Sequence, residues 1–177
     1  MKDILCRLDS LPKSFLINLG LHQNEINKKE QLSTITNENN VNYPKNIQFR
    51  QENYISTLRD SDCKQYDTIM CMSIVKWIHL NYGDVGVKVL FHNVYSQLKD
   101  GGIFIFEPQN WRSYKKKRNL NARIKANFSK ISFRPEQFQS YLEEIYNLKC
   151  INKLQPPSNS KKSFERPIFI FRKEPIK

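Results

Sequence analysis

The chain has 177 residues, 39 % of them hydrophobic and 12 % aromatic, which is the composition of a folded domain with a real core and not of a disordered chain. Its 29 Lys and Arg against 17 Asp and Glu give a formal net charge of +12, which favours polyanionic partners: RNA, DNA or an anionic membrane surface. No apolar run approaches the roughly 18 residues of a transmembrane helix, and the N-terminus has no apolar signal core, so a protein with no membrane span, kept inside the cell, is expected.

The first 42 residues form an irregular polar segment. "FLINLGL" is a short apolar run, strand or helical turn, and the Asn-rich stretch after it reads as a loop or insertion in which Glu25–Leu32 spans a helical turn or two. Ile47 and Phe49 alternate with polar residues, the pattern of a short strand. "YDTIMCMSIV" is a continuous apolar run of strand length, the mark of a strand buried on both faces. From Asp84 to Leu98, apolar Val85, Val89, Leu90, Val94 and Leu98 recur at helical spacing, with Asp84 as the N-cap.

Asp100-Gly101-Gly102 then reads as a turn, and Ile103–Phe106 as a second buried strand ended by Glu107-Pro108. Strand, helix, turn and strand make one βαβ unit and imply a parallel sheet. "RPEQFQSYLEEIYNL" is a helix with Pro135 in its first turn and Phe138, Leu142 and Ile145 on its apolar face. "KCINKL" and "RPIFIFRK" are two closing strands, expected as an antiparallel edge hairpin on a mostly parallel sheet. The fold class is therefore α/β.

In an open α/β sheet, ligands bind beyond the carboxyl ends of the strands. The first strand offers Met72, Ser73, Lys76, Trp77 and His79 there, and the second offers Glu107, Pro108, Gln109, Asn110 and Trp111. Lys76 is suited to a phosphate contact, because an ammonium is a compact point charge. It is equally readable as a solvated charge where a strand stops. His79 can be a base or a structural hydrogen bonder, and Glu107 can orient a neighbour or simply meet solvent.

From Trp111 to Arg134 the chain carries nine Lys and Arg and no acid, with Tyr114, Phe128 and Phe133 interleaved. Cations neutralise phosphates and aromatic rings stack on bases, so Arg112, Lys115, Lys116, Lys117 and Arg118 are read as an RNA surface; a solvated basic helix face is the alternative. Leu120, Ile124 and Phe128 are spaced as the apolar face of a short helix there. The four cysteines, Cys6, Cys63, Cys71 and Cys150, form no CxxC pair and none is grouped with His, so no metal site is expected. The chain has no GxGxxG or GxG.

The ordered set SxxKWxHLNxGD, GGxxxxEPQxWxSY, RPEQF and FxRPIxxF, present as "SIVKWIHLNYGD", "GGIFIFEPQNWRSY", "RPEQF" and "FERPIFIF", resembles the Bin3-type methyltransferases over roughly residues 43–173. These are RNA 5′-phosphate methyltransferases. The resemblance implies a class I, Rossmann-like domain (residues 43–177) represented by its C-terminal two-thirds. It implies S-adenosyl-L-methionine as cofactor and methyl transfer to the 5′-terminal phosphate of a small RNA. It assigns Asn53, Tyr54 and Met72 to the cofactor and Lys76 to the RNA 5′ phosphate, with His79, Glu107, Gln109 and Trp111 lining the site. A non-catalytic RNA-binding remnant of such a domain is the alternative.

Overall fold

The computed structural model describes residues 46–47, 49–56, 58, 66–156 and 166–175. The "FLINLGL" run and Glu25–Leu32 lie outside them. The chain divides into two units, Met1–Thr57 and Leu58–Lys177. In the first, the expected strand at Ile47–Phe49 is absent from the described residues, and Phe49 is 96 % exposed. Asn53 instead organises a turn: its backbone carbonyl accepts from Ser56 N at 3.1 Å and Ser56 Oγ at 2.8 Å. Its side-chain Oδ1 accepts from Ile55 N at 3.3 Å.

The second unit runs β1 (Tyr66–Met72), α1 (Val75–Gln97), β2 (Leu98–Glu107), α2 (Trp111–Lys115), α3 (Ala122–Lys130), a 3-10 turn (Pro135–Gln137), α4 (Phe138–Tyr146), β3 (Leu148–Leu154) and β4 (Ile168–Lys173). The sheet order is β1-β2-β4-β3. β1 and β2 are parallel, as the βαβ reading requires, whereas β2–β4 and β3–β4 are antiparallel. The closing hairpin is as expected, but the sheet is mixed and not mostly parallel, because β4 inserts between β2 and β3.

Helix α1 begins at Val75, nine residues before the expected cap, so "VKWIHLNY" is helical and not a strand boundary. Gly83 breaks it with φ 65° and ψ −166°, a conformation open to glycine and strained for any side chain. Asp84 therefore starts the second half of a bent helix, and its carboxylate serves the fold from there. The expected Asp100–Gly102 turn is absorbed into β2 as an irregularity: the register passes from Tyr66↔Leu98 to Thr68↔Ile103. A Cβ on Gly102 would lie 2.8 Å from the Lys99 carbonyl and 2.9 Å from Leu98 Cγ, so only glycine permits this approach.

Phe104, Phe106 and Phe171 face the helices, with Phe106 against Phe91 of α1 and Phe138 of α4 at ring separations of 5.6 and 6.1 Å. On α4 the buried residues are Phe138, Leu142 and Tyr146, at i, i+4 and i+8, and Ile145 turns to solvent instead. Strand β1 is not buried on both faces: Met70 is 62 % exposed. It is the outermost described strand, and the helices that reach the sheet pack on the other face. No described helix is long and apolar enough to cross a membrane.

Candidate functional site

The carboxyl ends of β1 and β2 converge on Ser73. The chain leaves β1 through Ser73 in the left-handed region (φ 59°), which turns it directly into α1. Ser73 N donates to the Glu107 backbone carbonyl at 3.3 Å, and Ser73 Oγ donates to Glu107 Oε1 at 3.0 Å. Gln109 pins the same corner: its Nε2 donates to the Ser73 carbonyl, and its Oε1 accepts from Lys76 N at 3.1 Å. One buried amide thus satisfies a backbone donor in the first turn of α1 and a carbonyl at the end of β1.

Arg166 enters from the other side. Because β4 runs antiparallel to β2, the residues just before β4 lie at the carboxyl end of β2. Arg166 Nη1 donates to Ser73 Oγ at 2.5 Å and to Glu107 Oε1 at 3.2 Å. Lys76 completes the cluster: its Nζ donates to Ser113 Oγ at 3.0 Å and stands 4.7 Å from the Trp77 ring centre. Burial lowers the Lys76 pKa below its ordinary value, and the charges of Arg166 and Lys117 lower it further. The one carboxylate here, Glu107, is engaged by Arg166 and Ser73. Lys76, Lys117 and Arg166 therefore focus positive charge on one corner of the sheet.

The sequence-expected residues separate into two groups. Met72 lies at the end of β1, 37 % exposed, and Glu107, Gln109 and Lys76 are joined through the Ser73 corner. His79 lies elsewhere: it is wholly buried, edge-on to Tyr114 at 5.5 Å and beside Phe138 at 5.9 Å. Trp111 packs on Phe128 (4.9 Å, 10° between planes) with the Arg134 guanidinium 5.1 Å from its ring centre. It clamps α3 onto α2. Arg112 and Lys115–Arg118 are exposed along α2 and the turn after it, and Lys117 is the one coupled to Lys76. Asn53 and Tyr54 belong to the first unit, where Asn53 forms its turn. Ser113 and Arg166 were not among the expected site residues. The signal for Arg166 was available, since an antiparallel last strand brings its own beginning to the end of β2.

Asp84 and His79 form a second centre below the first. His79 Nε2 is 2.8 Å from Asp84 Oδ1, and Asp84 Oδ2 accepts from Ser132 N (3.0 Å), Ser132 Oγ (2.7 Å) and Phe133 N (3.0 Å). Burial alone would raise the Asp84 pKa, but the hydrogen bonds from His79, Ser132 and Phe133 outweigh it and hold the carboxyl well below the usual carboxylate range. Because the carboxylate accepts, His79 Nε2 carries the proton. Both residues are committed to the fold.

A mixed α/β sheet with a cationic, hydroxyl-lined corner at its strand ends places the chain in the open-sheet α/β class, whose ligands bind at strand ends. The family model of Bicoid-interacting protein 3 (Bin3) matches residues 66–173, and the chain belongs to that family. It is 38 % identical over 135 residues to the human 7SK snRNA methylphosphate capping enzyme, covering 74 % of this chain and 20 % of that protein. It is 39 % identical over 131 residues to the U6 snRNA methylphosphate capping enzyme Amus of Drosophila melanogaster, covering 72 % of this chain and 44 % of that protein. A 50-residue stretch is 44 % identical to the pre-miRNA 5′-monophosphate methyltransferase of Xenopus laevis, covering 28 % of this chain and 18 % of that protein. The chain thus spans less than half the length of these relatives.

Proposed function

We propose that this chain carries the phosphate-binding part of an S-adenosyl-L-methionine-dependent RNA methyltransferase that acts on the 5′-terminal phosphate of a small RNA. The observation that carries the reading is Lys76: a nearly buried cation whose hydrogen-bond partner is the neutral Ser113, with the charges of Arg166 and Lys117 acting on it. Such a corner is completed by an anion. A terminal phosphate is already anionic at neutral pH, so its oxygen needs positioning more than deprotonation, and no general base is required. Lys76 and Ser113 hold the phosphate, Arg166 and Glu107 set the position of Ser73, and Gln109 fixes the first turn of α1 on which Lys76 stands. The exposed cations of Lys115–Arg118 carry the RNA backbone away from the site. An RNA of this kind makes the protein intracellular, in nucleus or cytoplasm.

S-adenosyl-L-methionine supplies a sulfonium-activated methyl group when bound. The described residues fit it in part: Met72 is partly exposed at the strand end, the position that the resemblance assigns to the cofactor. Asn53 and Tyr54 are proposed to lie along it. The second reading is an RNA-binding domain without turnover.

Calorimetric titration of the full chain with S-adenosylhomocysteine and with 5′-monophosphorylated and 5′-hydroxyl RNA of one sequence separates the two. Binding of both cofactor product and 5′-phosphorylated RNA supports the enzyme. Phosphate-dependent RNA binding alone supports the second reading. Equal affinity for the two RNAs overturns the phosphate site.

A further inference from the structure

Lys76 stands on a short piece of helix. Gly83 is non-helical inside α1 (φ 65°, ψ −166°), so the axis of residues 75–82 is not continued from the longer half behind them. What aims Lys76 at the phosphate corner is whatever holds this piece from outside. Its first turn is held by Gln109, whose Oε1 accepts from Lys76 N at 3.1 Å, and His79 in its middle is held by Asp84 across the break at 2.8 Å. Its last turn is held by α3. Asn127 Nδ2 donates to the carbonyls of Leu80 (3.1 Å) and Asn81 (2.8 Å), and an amide nitrogen carries two protons, one for each. Arg123 Nη2 donates to Asn81 Oδ1 at 2.7 Å, while Asn81 Nδ2 donates to the Trp77 carbonyl at 2.8 Å, one residue from Lys76.

The same helix meets the other side of the corner. Ile124 of α3, Leu80 of the half-helix and Tyr114 of α2 are buried in one small apolar cluster with Ile131, and Trp111 and Phe128 pack against it. Ser113, which accepts from Lys76 Nζ at 3.0 Å, directly precedes Tyr114 on α2. Lys76 and Ser113 thus stand on two short elements that meet over α3. Apolar packing sets how close these elements lie but is not directional, so it leaves the half-helix free to turn. Hydrogen bonds are directional, and the pair from Asn127 removes that freedom.

We propose that Asn127 is a positioning residue for the phosphate site: by bonding the carbonyls of Leu80 and Asn81 it sets the orientation of the half-helix, and with it the place of Lys76 Nζ opposite Ser113. Arg123 supports the same end through Asn81. This role rests on the reading that Lys76 and Ser113 hold the 5′ phosphate, and Asn127 acts through Lys76 without being a phosphate contact itself. The basic helix α3 then has two duties, since it braces the site from the side on which the chain carries its cations.

The experiment titrates the full chain with 5′-monophosphorylated and 5′-hydroxyl RNA of one sequence and takes the ratio of the two affinities. Asn127→Leu keeps the branched shape and removes both donors, and it should lower that ratio about fivefold, because a misplaced charge loses most of its contact. In a Lys76→Met background the same substitution should leave the ratio unchanged, since the residue it positions is gone. Lys173→Met is the control: it removes a structural bond at the far end of α1, and the ratio should stay at the wild-type value. Where circular dichroism shows that Asn127→Leu does not fold, Asn127→Asp, with the same shape and no donor, takes its place. An unchanged ratio in the Asn127 variant, an equal fall with and without Lys76, or an equal fall in Lys173→Met overturns the proposal and leaves the phosphate reading standing. A wild-type chain that binds the two RNAs equally overturns the phosphate reading, and this role with it.

Discussion

His79 Nε2 meets Asp84 Oδ1 at 2.8 Å across the break that Gly83 makes in α1. The same carboxylate collects three hydrogen bonds from Ser132 and Phe133, so one side chain ties both halves of the bent helix to the loop before α4. Asn127 Nδ2 completes the bend by donating to the carbonyls of Leu80 (3.1 Å) and Asn81 (2.8 Å), just before the break. Asp84→Ala is expected to cost about 2–3 kcal/mol by urea denaturation, since charge-assisted bonds are lost and the buried ring is left unpaired. The pH dependence has a definite sign. The folded-state pKa lies below the unfolded one, so the stabilisation is fully present above the unfolded value of about 4 and is lost as pH falls toward the folded value. The acid limb of the wild-type stability curve should therefore be steeper than that of Asp84→Asn.

Tyr114 gives the opposite expectation. It is fully buried with its ring edge against His79, and its hydroxyl has no hydrogen-bond partner among the described residues. Burying a hydroxyl unpaired costs roughly 1–3 kcal/mol, while the ring's packing is retained by phenylalanine. Tyr114→Phe should raise the unfolding free energy by about 1 kcal/mol. A loss of stability would show that the hydroxyl has a buried partner, such as a water molecule.

How much of this was legible in the sequence follows from the range of each interaction. The βαβ unit, the closing hairpin and the helix from Pro135 were legible, because apolar period and turn residues are local signals. The early start of α1 was not, because "VKWIHLNY" mixes apolar and polar residues and its helicity rests on Gln109, just beyond β2, capping Lys76 N. Lys76 was expected as a phosphate contact through its motif, and the structure places it in the cationic corner beside Ser113. His79, three residues on, was readable as a base or as a structural hydrogen bonder, and the structure places it in the core, held by Asp84 across the glycine break. Arg166 belongs to the same corner but lies 93 residues from Ser73 in the chain, a pairing set by the antiparallel last strand and by no local pattern.

Lys173 is a buried lysine with a purely structural duty. Its Nζ donates to the carbonyls of Tyr95 (2.7 Å) and Leu98 (2.8 Å) at the end of α1, and sits 4.0 Å from the Tyr95 ring centre. Last-turn carbonyls have no helical partners, so this ammonium caps the helix from the neighbouring strand. Lys173→Met preserves the stem and removes the cap. It should cost about 2–4 kcal/mol in thermal or urea unfolding and leave the preference for 5′-phosphorylated RNA unchanged.

Lys76 and Arg166 make the sharpest test of the phosphate corner, because the second acts on the charge state of the first. Lys76→Met should reduce the preference for 5′-phosphorylated over 5′-hydroxyl RNA by about 10- to 100-fold, the equivalent of one charge-assisted contact. Arg166→Gln should lower it less, through misplacement of Ser73 and Glu107, and the double variant should fall short of the sum, as coupled neighbours do. The pH profile separates the roles. The Lys76 pKa is lowered, first by burial and then by Arg166 and Lys117, so the wild-type preference should begin to fall at a lower pH than an ordinary lysine would dictate. Removing the Arg166 charge relieves part of that shift and should move the alkaline limb upward. An alkaline limb that stays in place in Arg166→Gln would mean that the guanidinium does not share the corner with Lys76, whatever the two substitutions do to affinity.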